Sequence, residues 1–225
     1  MKLGVLFSGG KDSTFATELA NSEQNEVVCL MSMKSKNKDS YMFHTPNIDL
    51  TEIQAKSLGI PLVSKKTNGE KEAELIDLRR LIQKAQKEYG IKGVVTGAVE
   101  SVYQASRIQK ICSDLNLWCF NPLWQLDQED LLKQLLKRGY EVIISSIAAY
   151  PLDRKWLGRK LTNSMIEELV NLKEKFGVNP AGEGGEFESL VLNGPNFKKR
   201  IQINKYNIYY KNHAGVFSVE NVELK

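Results

Sequence analysis

The stretch MKLGVLFSGGKDSTFATELA, residues 1–20, decides the fold. Leu3 to Phe7 is a short apolar run of strand length, and Thr14 to Ala20 places Phe15, Ala16, Leu19 and Ala20 near helical spacing. Ser8-Gly9-Gly10-Lys11-Asp12-Ser13 therefore joins a strand to a helix. In an open α/β sheet such a turn lies where ligands collect, and glycines there let backbone N–H groups approach a phosphate closely. The helix adds its positive dipole end and Lys11 a full charge, so Ser8 to Thr14 reads as a phosphate cradle. A lone Gly-Gly would read as a tight turn with Asp12 or Ser13 capping the helix. The whole string, set directly after the first strand, favours the phosphate. Its spacing is neither the Walker loop nor the dinucleotide pattern of G-x-G-x-x-G.

Outward from that loop, strand and helix alternate. Val27 to Met31 is a second buried strand, followed by the long polar excursion SMKSKNKDSYMFHTPN. Leu50 to Leu58 suggests a helix closed by Gly59, and Ile60 to Val63 a third strand. Leu75, Leu78, Ile82, Ala85 and Tyr89 mark one face of a long helix that ends before Gly90; Val94 to Thr96 is a fourth strand. Ser101 caps a helix with Ala105, Ile108, Cys112 and Leu115 buried, and Trp118 to Phe120 is a fifth strand. A helix from about Gln128 to Arg138 and a strand at Val142 to Ser145 continue the rhythm. The fold class expected is α/β, an open, mostly parallel, doubly wound sheet.

Past about Tyr150 the pattern changes to one helix, a glycine-rich turn at 182–185, and short strands at Leu190–Leu192, Ile201–Ile203, Asn207–Tyr210 and Val216–Val219. This is a smaller mixed α+β lobe. The domains expected are 1–149, binding nucleotide, and 150–225, recognising substrate.

Composition limits the function classes. The chain has 31 Lys plus Arg against 27 Asp plus Glu, a net charge of +4, too mild and dispersed to argue for nucleic acid. Cys29, Cys112 and Cys119 lack C-x-x-C spacing, and with only His44 and His213 beside them make no zinc or iron–sulfur pattern. Reduced thiols, no apolar run near the ~20 residues of a membrane span and an N-terminus that enters a strand directly lead us to expect a cytoplasmic protein.

With S-G-G-K-D-S after the first strand, the chain resembles the PP-loop ATP pyrophosphatases of the adenine nucleotide α-hydrolase-like fold. That resemblance implies cleavage of ATP between its α and β phosphates, with Mg²⁺, leaving an adenylate. Three further stretches, DSYMFHTPNI (39–48), GAVESVYQASRIQKICSDLNLWCFNPLW (97–124) and GEGGEFES (182–189), occur in the order found in the diphthine–ammonia ligase family, which the chain resembles over nearly its whole length. The resemblance implies amidation of diphthine on translation elongation factor 2 with ammonium, giving diphthamide, AMP and pyrophosphate. Glutamine hydrolysis needs a second active site with a nucleophilic cysteine; residue 2 is Lys and 225 residues leave no room for a glutaminase domain, so free ammonium is the expected nitrogen donor. No membrane or direct nucleic-acid contact is expected, and a homodimer is left open. An AMP-forming ligase acting on a small carboxylic acid, and a non-catalytic adenine-nucleotide-binding module, are the alternatives.

Carried onto these motifs, Ser8, Gly9, Gly10, Lys11, Asp12, Ser13 and Thr14 bind phosphates, with Asp12 either holding Mg²⁺ or capping the helix. The backbone at Leu30, Met31 and Ser32 faces adenine, and Gly97 and Ala98 close one side of the site. Tyr103, Gln104 and Arg107 on one helix, and His44, contact substrate; Tyr103 and Arg107, four apart, share a helix face. Glu183, Glu186 and Glu188 around Gly184 and Gly185 gather negative charge that attracts a cation, either trimethylammonium or ammonium, or takes a proton from the latter. Lys11, Asp12, Arg107, Glu183 and Glu186 are the catalytic candidates.

Overall fold

The computed structural model describes residues 1–22, 24–35, 46–70 and 72–225. His44 and most of the DSYMFHTPNI stretch lie outside them. The first lobe contains β1 (Lys2–Leu6), α1 (Lys11–Ala20), β2 (Glu26–Ser35), α2 (Thr51–Leu58), β3 (Leu62–Thr67), α3 (Ala73–Tyr89), β4 (Gly93–Val95), α4 (Val102–Asp114) and β5 (Trp118–Phe120). Its five strands pair in the order β3-β2-β1-β4-β5, all parallel. Strand order reverses between β1 and β4. That reversal opens a crevice outside the carboxyl ends of these two strands, and ligands bind there in doubly wound folds.

Alternating burial divides the strands between two apolar layers. Leu30 joins the layer containing Phe15 and Ala16 of α1, whereas Cys29 and Met31 join Leu78, Leu81, Ile82 and Ala85 of α3 and Ile108, Ile111 and Cys112 of α4. Both helices read from periodicity therefore lie where their apolar stripes require. Gly59 and Gly90 end α2 and α3 in the left-handed region, at φ of 69° and 66°.

The second lobe contains α5 (Gln128–Lys137), β6 (Glu141–Ile147), α6 (Asn163–Phe176), β7 (Phe187–Asn193), β8 (Ile201–Lys211) and β9 (Ala214–Leu224). Its strands pair antiparallel in the order β7-β6-β9-β8. β6 thus belongs to this sheet, where the sequence reading had it continuing the parallel one. An apolar run such as Val142-Ile143-Ile144 fits the interior of either sheet, and only its long-range partners, Val191 and Leu190 of β7, settle the matter. The two short strands expected at 201–203 and 207–210 are one, β8, with register shifts around Lys205 where the polar Asn204-Lys205 pair interrupts the apolar pattern.

β2 also differs from expectation. It runs past Met31 to Ser35, pairing Ser32 with Ser64 and Ser35 with Thr67 of β3, so the first residues of the polar excursion are strand. Since Leu6, the last residue of β1, pairs with Met31, the rest of β2 extends beyond β1 and forms a wall of the crevice.

Candidate active site

The crevice at the switch point is a cavity of about 340 Å³ lined by the turn after β1, the turn after β4, the end of β2, the start of α4 and residues 182–189 of the second lobe. Ser8, Gly10, Lys11, Asp12 and Ser13 line it together. Gly9 takes φ of +80°, and a Cβ there would meet the buried Gln54 amide at 2.0 Å; only glycine satisfies both the angle and the space. Gly10 is the N-cap of α1 and provides no side-chain cap; the Lys11 N–H is taken by Ser189 Oγ from the second lobe, and Gly10, Lys11, Asp12 and Ser13 all line the cavity. Anions bind such an end.

The Lys11 side chain is 5% exposed, and its Nζ lies 2.8 Å from Asp12 Oδ2. Burial pulls its pKa down, but the carboxylates of Asp12, Glu183 and Glu188 outweigh this and hold the ammonium above its ordinary range. It is a permanent cation. Asp12 Oδ1 is buried with no hydrogen-bond partner. An orphaned carboxylate oxygen beside an anion site fits a magnesium ion, which binds through one or two carboxylates and completes its shell with phosphate and water. No group of three or more His, Cys, Asp and Glu that could hold a metal ion occurs among the described residues.

Gly97 and Ala98 line the opposite side. Thr96 shapes this turn: its hydroxyl donates to Asn121 Oδ1 at 2.6 Å and accepts the Ala98 N–H at 3.1 Å. A Cβ on Gly97 would lie 2.8 Å from both the Asp12 carbonyl carbon and the Ser13 nitrogen, so the missing side chain lets the turn abut the start of α1. Met31 and Met33 line the cavity with Leu6, Phe7, Ile48 and Ile108, an apolar wall suited to a base. Leu30 and Ser32, expected at the adenine, are buried away from the cavity lining because they alternate with the two methionines along β2.

In the second lobe Glu183 and Glu188 line the cavity and Glu186 does not. The Glu186 carboxylate accepts the Asn179 N–H and the Gly184 N–H, each at 2.9 Å, while Asn179 Oδ1 accepts the N–H groups of Ala181 and Glu183. These bonds lock the 179–186 turn and aim Glu183 inward, so Glu186 supports the site from behind. Burial, with repulsion from Asp12, pushes the carboxyls of Glu183 and Glu188 up to about 7 against the pull of Lys11. Glu188 is reached by solvent through the cavity yet walled by protein, which is why desolvation acts on it. Two carboxyls in this condition favour a bound cation.

Gln104 of α4 and its N-cap Ser101 join the lining. Tyr103 and Arg107 stay outside it: the Arg107 guanidinium stacks over the Tyr103 ring at 3.5 Å and lies 3.6 Å from Glu72. Their (i, i+4) spacing brings them to each other.

The sequence reading missed Gln54 and Ser189. Gln54, fully buried on α2, donates from Nε2 to the carbonyls of Gly9 and Val191, each at 2.8 Å, and the Val191 N–H also reaches Gly9 O. Ser189 Oγ accepts the Lys11 N–H at 3.1 Å. β7 is thereby fastened to the phosphate loop. Neither residue stands out in the sequence: Gln54 shares the buried face of α2 with the equally polar Thr51 and Ser57.

A parallel α/β sheet with a Gly-Gly-Lys anion loop at its switch point, closed by an acidic turn from an antiparallel lobe, defines a nucleotide-binding protein of the phosphate-loop class. Residues 1–118 match the model of the diphthamide synthase N-terminal domain and residues 127–224 that of the C-terminal domain. The chain belongs to the diphthamide synthase family. It is 37% identical over 217 residues to a diphthine–ammonia ligase of Schizosaccharomyces pombe, covering 89% of this chain and 36% of that protein. It is 34% identical over 222 residues to the Rattus norvegicus diphthine–ammonia ligase, covering 90% and 83%. To the Homo sapiens one it is 32% identical over 223 residues, covering 89% and 82%. The chain thus spans about a third of the yeast relative and over four-fifths of the two mammalian ones.

Proposed function

We infer that this chain is an AMP-forming ATP-dependent amide ligase, which converts the diphthine carboxylate of translation elongation factor 2 to diphthamide with ammonium. The observation that carries the reading is the start of α1, whose N-cap Gly10 brings no side chain, with buried Lys11, facing one cavity with the acidic turn of the second lobe. Family membership supplies the substrate class.

A carboxylate is a poor acyl donor, and adenylation gives it AMP as leaving group. The substrate oxygen attacks the α-phosphorus, the bond to the β-phosphate oxygen breaks, and pyrophosphate departs into the loop. The amides of α1 and the Lys11 ammonium stabilise its charge without moving, the condition under which fixed dipoles act most strongly. Asp12 Oδ1 would hold Mg²⁺, which supplies further neutralisation of the phosphates. Met31 and Met33 pack on the base. Ammonia then attacks the acyl carbon and AMP leaves; Glu183 and Glu188 hold ammonium and accept its proton, for which carboxyls near 7 are well matched.

Ser101 and Gln104 at the mouth, with Tyr103 and Arg107 beside them, contact the protein substrate, and the second lobe, expected as 150–225 and taken here with α5 and β6, presents it. No described helix is long and apolar enough to cross a membrane, and we place the reaction in the cytoplasm with its protein substrate. Incubation with ATP, Mg²⁺, ammonium and diphthine-bearing elongation factor tests the reading. Mass analysis then shows the acid-to-amide change; an unmodified factor beside consumed ATP refutes it.

A further inference from the structure

β7 does more than cover the phosphate loop. Ser189 is 6% exposed and lines the cavity, and its Oγ lies 3.1 Å from the Lys11 nitrogen, accepting that N–H. A hydroxyl that accepts one bond still has a proton to give. Among the described residues nothing accepts the Ser189 proton: the only hydrogen bond of Oγ is the one from Lys11. A buried hydroxyl with an unused donor, at the edge of an anion loop, is itself a donor for the anion.

The backbone holds it there rigidly. A Cβ on Gly10 would stand 3.3 Å from the Ser189 carbonyl oxygen and 3.4 Å from its Oγ, so the strand and the loop are in direct contact. Two residues on, the Val191 N–H donates to Gly9 O, and Gln54 bridges the same carbonyl to Val191 O. Any movement of β7 along the loop would break all of these bonds together.

We propose that Ser189 is a phosphate-binding residue of the second lobe: its hydroxyl accepts the Lys11 amide proton and donates its own to a β- or γ-phosphoryl oxygen of ATP, then of departing pyrophosphate. The inference rests on the phosphate-loop reading above. It makes the cavity incomplete without β7 and couples the strand carrying Glu188 to the presence of the outer phosphates. AMP, which lacks those phosphates, does not engage Ser189.

Calorimetric titration of the whole chain with pyrophosphate, ATP and AMP, each with Mg²⁺, is the test. Wild-type protein that binds neither pyrophosphate nor ATP would overturn the loop reading, and the proposal with it. Given wild-type binding, Ser189→Ala weakens pyrophosphate and ATP by about tenfold or more, as expected for a hydrogen bond to a charged group, and leaves AMP unchanged. Ser189→Thr, which keeps the hydroxyl, restores both. Ser189→Cys, nearly the same size and a weak donor, shows the same selective loss should the alanine variant fold poorly. Unchanged pyrophosphate affinity in Ser189→Ala, equal weakening of AMP, or no recovery with threonine would overturn the assignment.

Discussion

Substituting Gly97 by alanine tests the geometry of the phosphate loop from the far side of the cavity. The new Cβ would stand 2.8 Å from the Asp12 carbonyl carbon and 2.8 Å from the Ser13 nitrogen, both backbone atoms of the first turn of α1. Ordinary contact begins near 3.4 Å, so the turn and the helix must separate by roughly 0.6 Å, and neither atom belongs to a flexible side chain that could swing aside. The turn is pinned by Thr96 through Asn121 and Ala98, and the loop by Gln54 and Val191, so strain cannot drain away locally. Overpacking of this kind costs about 1–3 kcal/mol, a fall of roughly 2–12 °C in Tm for a chain of this size. Displacing the amides that face the phosphates by over half an ångström should cost more in rate: about 10- to 100-fold in kcat/KM for ATP, by the usual cost of misplaced catalytic groups. Thermal melts and pyrophosphate release measure the two effects. A Gly97→Ala enzyme with wild-type kcat/KM would refute the close approach.

Other outcomes follow from the same geometry. Lys11→Met removes the cation between three carboxylates and the phosphates, so pyrophosphate release falls by about 100-fold or more; retained turnover would remove the lysine from the mechanism. Glu186→Gln places an amide N–H against one of the two N–H groups its carboxylate accepts, at Asn179 or Gly184, costing about 1–3 kcal/mol of stability. Glu183→Gln spares stability but loses ammonium-dependent turnover, and the reverse pattern would exchange their roles. Gln54→Leu loses both donors to Gly9 and Val191 and lowers Tm by roughly 2–8 °C; an unchanged melt would show that the clasp is unimportant. Glu183 and Glu188 hold protons up to about pH 7 in the folded ligand-free chain and release them near 4.5 once unfolded. The folded state therefore binds more protons between these values, and its stability falls as pH rises through that window. Melts should show this slope and show it flattened when both are glutamine; a steeper slope in that variant would contradict it.

The sequence reading was strongest where local chemistry and long-range structure agree. Gly9-Gly10 between an apolar run and a helical pattern forces a strand-to-helix turn whatever surrounds it, and Gly59 and Gly90 stop their helices by their own backbone freedom. It was weaker where burial alone speaks. Val142 to Ile144 is apolar because it is interior, and interior positions of a parallel and an antiparallel sheet look alike along one chain. Among Glu183, Glu186 and Glu188, spacing cannot say which carboxylate is consumed by its own turn; that depends on Asn179, four residues upstream of the first of them, bending back. Ser189 acts on Lys11, and Gln54 on Gly9 and Val191, all far from them in sequence, so no local pattern marks their roles.

The central claim is that the acyl oxygen attacks the α-phosphorus while the outer phosphates rest in the loop. Elongation factor bearing a heavy-oxygen-labelled diphthine carboxylate, incubated with the chain, ATP, Mg²⁺ and ammonium, examines it directly by phosphorus NMR of the released nucleotide. The account predicts one labelled oxygen on AMP and unlabelled pyrophosphate. Label in orthophosphate, with ADP as its companion product, would contradict it.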